Sequence, residues 1–393
     1  MVSSIRPLKI NYKRMNQEII KFRLELHKHP EVSNKEYNTS ERIINFIKKS
    51  NPDNIIKLGE TGVLFAFNGN EKGKTIVFRS ELDALPIHEQ SGVEYNSVNN
   101  HIAHSCGHDG HMAILTGLAQ KISENRPTKG RVILLFQPAE EVEQGARDVV
   151  ENPKFKKLKP DHIFALHNVP GFEKHQIILK KGSFAAASKG ITIKLFGKTA
   201  HAAEPQNGIS PADAISQIIK ELHELRENKT HFKDFVLLTI IHIQLGEISF
   251  GTSPGYAELR ITLRAFENED MELLTAHCEK IIMEISKAEK LSCKISYSEV
   301  FPATVNNDEC IGIVEQSAKQ NNSEIKYIEK PFKWSEDFGY YSQKYKTCLF
   351  GLGAGLLQPQ LHNPEYDFPD EIIETGVNIF YTIYKNTNTK DAK

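Results

Sequence analysis

The stretch Ala103-His104-Ser105-Cys106-Gly107-His108-Asp109-Gly110-His111-Met112 gathers a thiol, three imidazoles and a carboxylate into one short run. Thiolate sulfur, imidazole nitrogen and carboxylate oxygen are the preferred ligands of zinc and related divalent metals. The apolar run from Met112 to Ala119 reads as a helix leaving this loop, with His108 and His111 three apart, roughly on one face. Cys106 and His108 lie two apart and could touch one ion. A single Cys-x-His pair reads equally well as a polar helix start beside a buried cysteine, so the rest of the chain has to decide.

Other charged and imidazole groups recur where buried strands should end. Thr75-Ile76-Val77-Phe78-Arg79 is apolar on both faces, as an interior strand is. It runs into Ser80-Glu81-Leu82-Asp83-Ala84-Leu85-Pro86, which puts Asp83 just past its carboxyl end, where open α/β sheets place ligands. Arg131 to Phe136 empties into Gln137-Pro138-Ala139-Glu140-Glu141, and His162 to Leu166 ends at His167. Ligands or bases at three strand ends read as the rim of a site rather than as solvated charge.

The supporting elements follow from periodicity. Helices are expected at 16–27 and about 38–49, the second with Asn38 as N-cap. A strand at 62–67 follows. Near residue 182 the pattern changes to half-exposed alternation: strands at 190–196, 235–243, 257–265 and 293–299, with helices at about 209–227 and 269–290. That β-α-β-β-α-β order is ferredoxin-like. From Phe301 the α/β alternation returns, through a helix at 308–320, Trp334-Ser335-Glu336-Asp337-Phe338, a strand at 347–352, Leu361-His362-Asn363-Pro364-Glu365 and a last helix from about Asp370 to Lys385. The expected architecture is α/β. A three-layer αβα catalytic domain with a mostly parallel sheet, 1–182 and 297–393, carries an inserted ferredoxin-like α+β lid, 183–296.

Length, at 393 residues, agrees with two domains. A net charge of −1 gives no electrostatic case for nucleic acid or an anionic membrane. The stretch from Met1 to Lys9 has no apolar core of signal-peptide length, and no apolar run approaches a membrane span. Five scattered cysteines argue against a disulfide framework. The expectation is a cytoplasmic protein.

Four stretches in this order, Ser80 to Pro86, Cys106 to Met112, Gln137 to Glu141 and Ala165-Leu166-His167, give the chain its resemblance to the aminoacylase and hippurate-hydrolase type of metal-dependent amidohydrolase. The branch with the plant auxin-conjugate hydrolases is the most similar. The resemblance extends from His27-Lys28-His29-Pro30-Glu31 to His362-Asn363-Pro364-Glu365. It implies two divalent ions, zinc or manganese with cobalt or nickel as alternatives, held by Cys106, His108, Glu141, His167 and His362. It implies that Glu140 is the general base for a metal-activated water, and that Asp83 and Asp109 orient ligands. It also implies that His201, in Lys198-Thr199-Ala200-His201, reaches the substrate carbonyl, in some relatives from a neighbouring subunit, so a homodimer through the lid is expected. Gly251 and Arg264 fall at substrate-binding positions. Gly251 stands where the family usually has Asn, which removes an amide donor and acceptor.

The function expected is hydrolysis of an N-acyl amino acid at its amide bond. The nearest alternative is a metallo-dipeptidase or carboxypeptidase using the same site on a small peptide. A thiol hydrolase with Cys106 as nucleophile and His108 or His111 as base leaves Glu140, Glu141, His167 and His362 unexplained. A non-catalytic binding protein leaves the complete ligand set unexplained.

Overall fold

The computed structural model describes residues 7–227 and 229–389. Most of the N-terminal stretch read for a signal peptide, residues 1–6, and the last residues of the polar tail lie outside them. The chain divides into two compact units. One is Met1–Phe184, Val305–Lys330 and Tyr340–Lys393; the other is Ala185–Thr304 and Pro331–Gly339.

The first unit is built on an eight-stranded sheet. Strands Lys129–Gln137, Glu71–Glu81, His162–Pro170 and Lys346–Gly355 run parallel at its centre. Antiparallel pairings join Gly62–Asn68 on one side and Ile177–Leu179 on the other. Side chains on a strand alternate between faces. Phe65, Phe67, Ile76, Phe78, Leu134, Phe164 and Phe350 therefore share one buried cluster with helices Pro7–Lys28, Tyr37–Ile47, His108–Glu124, Asp308–Gln320 and Ile373–Thr389. Their neighbours Leu64, Val77, Ile133, Leu135, Ile163 and Leu349 are buried too, on the other face. There the short helices Gly145–Glu151 and Pro153–Lys156 lie, with Phe155 against Tyr341. Both faces are covered, which is why the central strands carry no alternation.

Several elements differ from the sequence reading. The second helix starts at Tyr37, so Asn38 does not cap it; the Glu31 carboxylate outside the helix accepts from Asn38 N and Thr39 N instead. His167 does not end its strand. The strand runs on to Pro170 because Lys346–Gly355 continues beside it, pairing Gly351 with His167 and Leu352 with Asn168. Strands Asn54–Leu58 and Ile177–Leu179 carry too little periodicity to be read.

The second unit has the strands Ala187–Phe196, Val236–Leu245, Tyr256–Ala265 and Ser292–Phe301, with helices Ala212–Glu227 and Asn268–Ala288. In spatial order, the fourth strand lies beside the first, then the third, then the second, all antiparallel. This is the ferredoxin-like arrangement. The unit runs to Thr304 rather than 296 and takes in Pro331–Gly339. Ala186 N donates to the carbonyls of Phe332 and Trp334, and Arg264 Nη1 donates to Lys333 O and Ser335 Oγ, each at 2.9 Å. Arg264, read as a substrate-binding position, makes these bonds within its own unit.

Candidate metal centre and active site

Five donor residues converge in the first unit from four separate segments. The loop before helix His108–Glu124 supplies Cys106, and Gly107 has to be glycine. Its φ is +88°, and an added Cβ would lie 2.7 Å from the Asn168 side chain. His108 opens the helix, and strand His162–Pro170 contributes His167. Glu140 and Glu141 lie on the turn after strand Lys129–Gln137. His362 is brought alongside by its own backbone N–H, which donates to Ser105 O at 2.8 Å.

The donor atoms form several overlapping sets, each within 4.8 Å, among them His108 with Glu140 and Glu141, and two that share Cys106. Of these two, one is Cys106, His108 and His167; the other is Cys106, Glu141 and His362. Cys106 Sγ is 3.6 Å from His167 Nε2. His108 Nε2 is 3.9 Å from carboxylate oxygens of both Glu140 and Glu141, and His362 Nε2 is 3.7 Å from Glu141.

Charge and hydrogen bonding prepare these groups for a cation. His108 Nδ1 donates to Asp83 O at 2.9 Å, with Asp83 Oδ1 at 3.5 Å. That fixes the tautomer and turns Nε2 toward the carboxylates, where it is buried with no hydrogen bond among the described residues. Burial opposes charge on His108, but the bond to Asp83 and the carboxylates of Glu81 and Glu141 outweigh it and push the ring up to about 10. A site that draws a proton onto a buried imidazole has negative charge that a cation can balance. His167 is held well below the usual imidazole range by burial and by His111, and burial lowers His362. Both rings therefore keep lone pairs for a metal. Sulfur, nitrogen and oxygen donors in one set fit zinc, and the nitrogen and oxygen donors also fit manganese, cobalt or nickel.

One residue departs from the sequence reading, and two nearby imidazoles stay out of the sets that share Cys106. Asp109 does not orient the ligands. Its Oδ2 lies 2.9 Å from Arg23 Nε and 2.8 Å from His27 Nδ1. Successive helical residues point about 100° apart, so with His108 facing the donors Asp109 faces the first helix. His111 bonds Glu81 through Nδ1 at 2.7 Å and Asn168 through Nε2 at 2.6 Å, so neither nitrogen is left to act as base for a thiol nucleophile. His104 is buried, and burial pushes it down to about 3. It joins neither of the sets that share Cys106.

Beneath the donors runs a polar network the sequence did not disclose. Arg79 pairs with Glu81, Glu81 holds His111, and Asn168 bonds both His111 and Tyr366. Burial opposes charge on Glu81, but Arg79 and His111 outweigh it and hold the carboxyl well below its usual range. The His111 ring packs against those of His108 and His167, with centroids 5.6 and 4.8 Å away. Only the charged residues at the end of strand Glu71–Glu81 hinted at this layer.

The Asp109 network gives a stability prediction. Burial raises the Asp109 carboxyl, but Arg23 and His27 outweigh it and hold it well below the usual range. His27 is lowered by burial but pushed up to about 9 by Asp109 and Glu89. The depressed acid contributes above its unfolded pKa; the raised imidazole contributes below its own. The stabilisation is therefore whole between roughly pH 4 and 6.5, and the His27 share is lost as pH rises through about 9. Asp109→Asn should cost about 3–5 kcal/mol at pH 6, because it strips a counter-charge from buried cations. In urea unfolding the gap to wild type should narrow at pH 9. Metal content should be unchanged; metal loss with unaltered stability would restore Asp109 as an orienting group.

The model of peptidase family M20/M25/M40 matches residues 77–386. The chain belongs to that family. It is a metal-dependent hydrolase that cleaves amide bonds. It is 29% identical over 365 residues to the hippurate hydrolase of Campylobacter jejuni, covering 92% of this chain and 94% of that one. It is 30% identical over 381 residues to the N-acetyldiaminopimelate deacetylase of Bacillus subtilis, covering 94% and 99%. A dinuclear metal binding peptidase of the M20 family from Bacillus subtilis superposes with a TM-score of 0.81 at 26% identity, covering 94% and 98%. No helix among the described residues is long and apolar enough to cross a membrane.

Proposed function

We propose that the protein hydrolyses N-acyl amino acids, releasing a carboxylate and a free amino acid, at a two-ion site formed by Cys106, His108, Glu141, His167 and His362. The observation that carries the reading is the pair of donor sets sharing Cys106, a residue able to bridge two adjacent ions. A relative named for hippurate and another named for an N-acetyl amino acid support an acyl substrate.

Two divalent ions in these sets would acidify a water and offset negative charge on the substrate oxygen. The protein's own groups do the rest. Glu140, 5% exposed, takes the proton of the attacking water and returns it to the leaving nitrogen. Asp83 keeps His108 in the tautomer that presents Nε2. His201 is the proposed donor to the oxyanion, and Gly251 a proposed substrate contact.

The inserted unit is also the proposed contact in a homodimer. Strand Val236–Leu245 is an edge of its sheet and exposes Ile241, Ile243 and Leu245, with Ile248 and Phe250 exposed just beyond. Unpaired edges of this kind pair with another chain. Sedimentation equilibrium showing a single chain per particle at working concentrations would end that part of the reading.

The substrate class is tested by offering N-acetyl and N-benzoyl amino acids beside unblocked dipeptides. Release of amino acid from the acylated set is expected. Turnover confined to dipeptides would replace the proposal with a dipeptidase.

A further inference from the structure

The turn that carries Glu140 and Glu141 is held in a disfavoured shape. Ala139, immediately before Glu140, has a φ of +52°, the left-handed region that side chains other than glycine's avoid. Something has to compensate, and the compensating group lies 103 positions earlier. Ala139 N donates to Glu36 Oε1 at 2.8 Å. The Glu36 carboxylate is fully buried. It also accepts from Asn34 N at 2.9 Å and from Thr61 Oγ1 at 2.9 Å. Its oxygens are therefore fixed from two sides before they meet the turn.

The rest of the turn is clamped in the same way. Gln144 N and Gly145 N both donate to Ala139 O, and Glu143 N donates to Glu140 O. Gly145 lies so close that a Cβ there would fall 1.7 Å from Pro138 O. Glu141 N donates to Asp83 Oδ2 at 3.0 Å, and Ser33 Oγ donates to the same oxygen at 2.7 Å. Residues 33–36 thus grip the Glu140-Glu141 turn twice, through Glu36 directly and through Ser33 and Asp83.

We infer that Glu36 is a positioning residue: it holds Ala139 left-handed and so aims Glu140 at the reacting atoms. This rests on the reading of Glu140 as the base. Residues outside the chemistry can matter this much, because misplacing a catalytic group by about 1 Å can cost roughly 10²-fold.

The test is a mutant cycle on the metal-loaded full chain, with an N-acetyl or N-benzoyl amino acid that the wild type accepts. Glu36→Ala should lower kcat roughly 10–100-fold and leave KM nearly unchanged. Glu36→Gln keeps an oxygen for Ala139 N and should stay near wild type. Ala139→Gly removes the penalty on the left-handed φ. It should recover part of the Glu36→Ala loss while giving no gain in the wild-type background. Elemental analysis should show an unchanged metal content in all of them. Should Glu36→Ala not fold, Glu36→Asp serves: its shorter side chain keeps the charge but falls short of Ala139 N, and it should show the same kcat loss. Wild-type kcat in either variant would overturn the inference. So would a loss that neither Glu36→Gln nor Ala139→Gly relieves and that follows metal content or stability. Glu140→Gln run alongside keeps the two readings apart. If that variant turns over normally the base assignment falls by itself, whereas absent coupling between Glu36 and Ala139 sinks only the positioning role.

Discussion

Glu140→Gln should keep its metal and lose activity by about 10²–10⁴-fold, the usual contribution of a general acid–base group. The amide has the shape of the carboxylate but cannot accept the water's proton. Glu140 and Glu141 are adjacent, and the Glu141 backbone N–H is tied to Asp83. The fall should therefore appear in kcat and kcat/KM together, with little movement of KM. Glu141→Gln should differ in kind, because Glu141 shares a donor set with Cys106 and His362. Its activity loss should come with loss of metal. Normal turnover in Glu140→Gln would remove it as the base.

His201→Ala should cost about 10²–10³-fold in kcat, the range for removing one oxyanion donor. The proposed role needs a hydrogen-bond donor on the ring. Ala203 N donates to His201 Nδ1 at 3.1 Å, which makes Nδ1 an acceptor and leaves Nε2 as the ring's N–H donor. Thr252 pairs with His201, and Gly251 O accepts from Ala202 N, so the two positions singled out in the inserted unit are neighbours. Gly251 has no left-handed φ and no atom within 4 Å of an added Cβ, so asparagine fits there unstrained. Gly251→Asn should shift KM and the range of acyl groups accepted, with kcat nearly kept. A His201→Ala enzyme with unchanged kcat would leave that histidine a surface residue.

Candidate donors stood out where residue type and local spacing mark them, whereas His362 was reached only through the family resemblance. Cys106 and His108 are two apart; Glu140 and Glu141 follow an obviously buried strand. The sheet was legible for the same reason, as Val77, Ile133 and Ile163 sit in runs apolar on both faces. What supports the donors was not. Glu36 meets Ala139 across 103 positions, and Asn168 meets Tyr366 across 198. No periodicity encodes such pairings. Asp109 was misread because nearness in sequence to His108 is not nearness in direction on a helix. The inserted unit was read from its alternating strands, but the segment Pro331–Gly339 joins it through bonds from the Ala186 backbone and the Arg264 side chain that leave no pattern.

In the proposed mechanism the sets sharing Cys106 hold two ions, and amide hydrolysis depends on both. The direct measurement is to strip the protein with a chelator, return zinc or manganese in steps, and follow amino acid release from an accepted N-acyl amino acid beside bound metal by elemental analysis. Activity should vanish on stripping and return as occupancy approaches two ions per chain, the number in the dinuclear peptidase this fold resembles. Activity that survives complete stripping but is abolished by alkylating Cys106 would contradict the account and make the thiol the nucleophile.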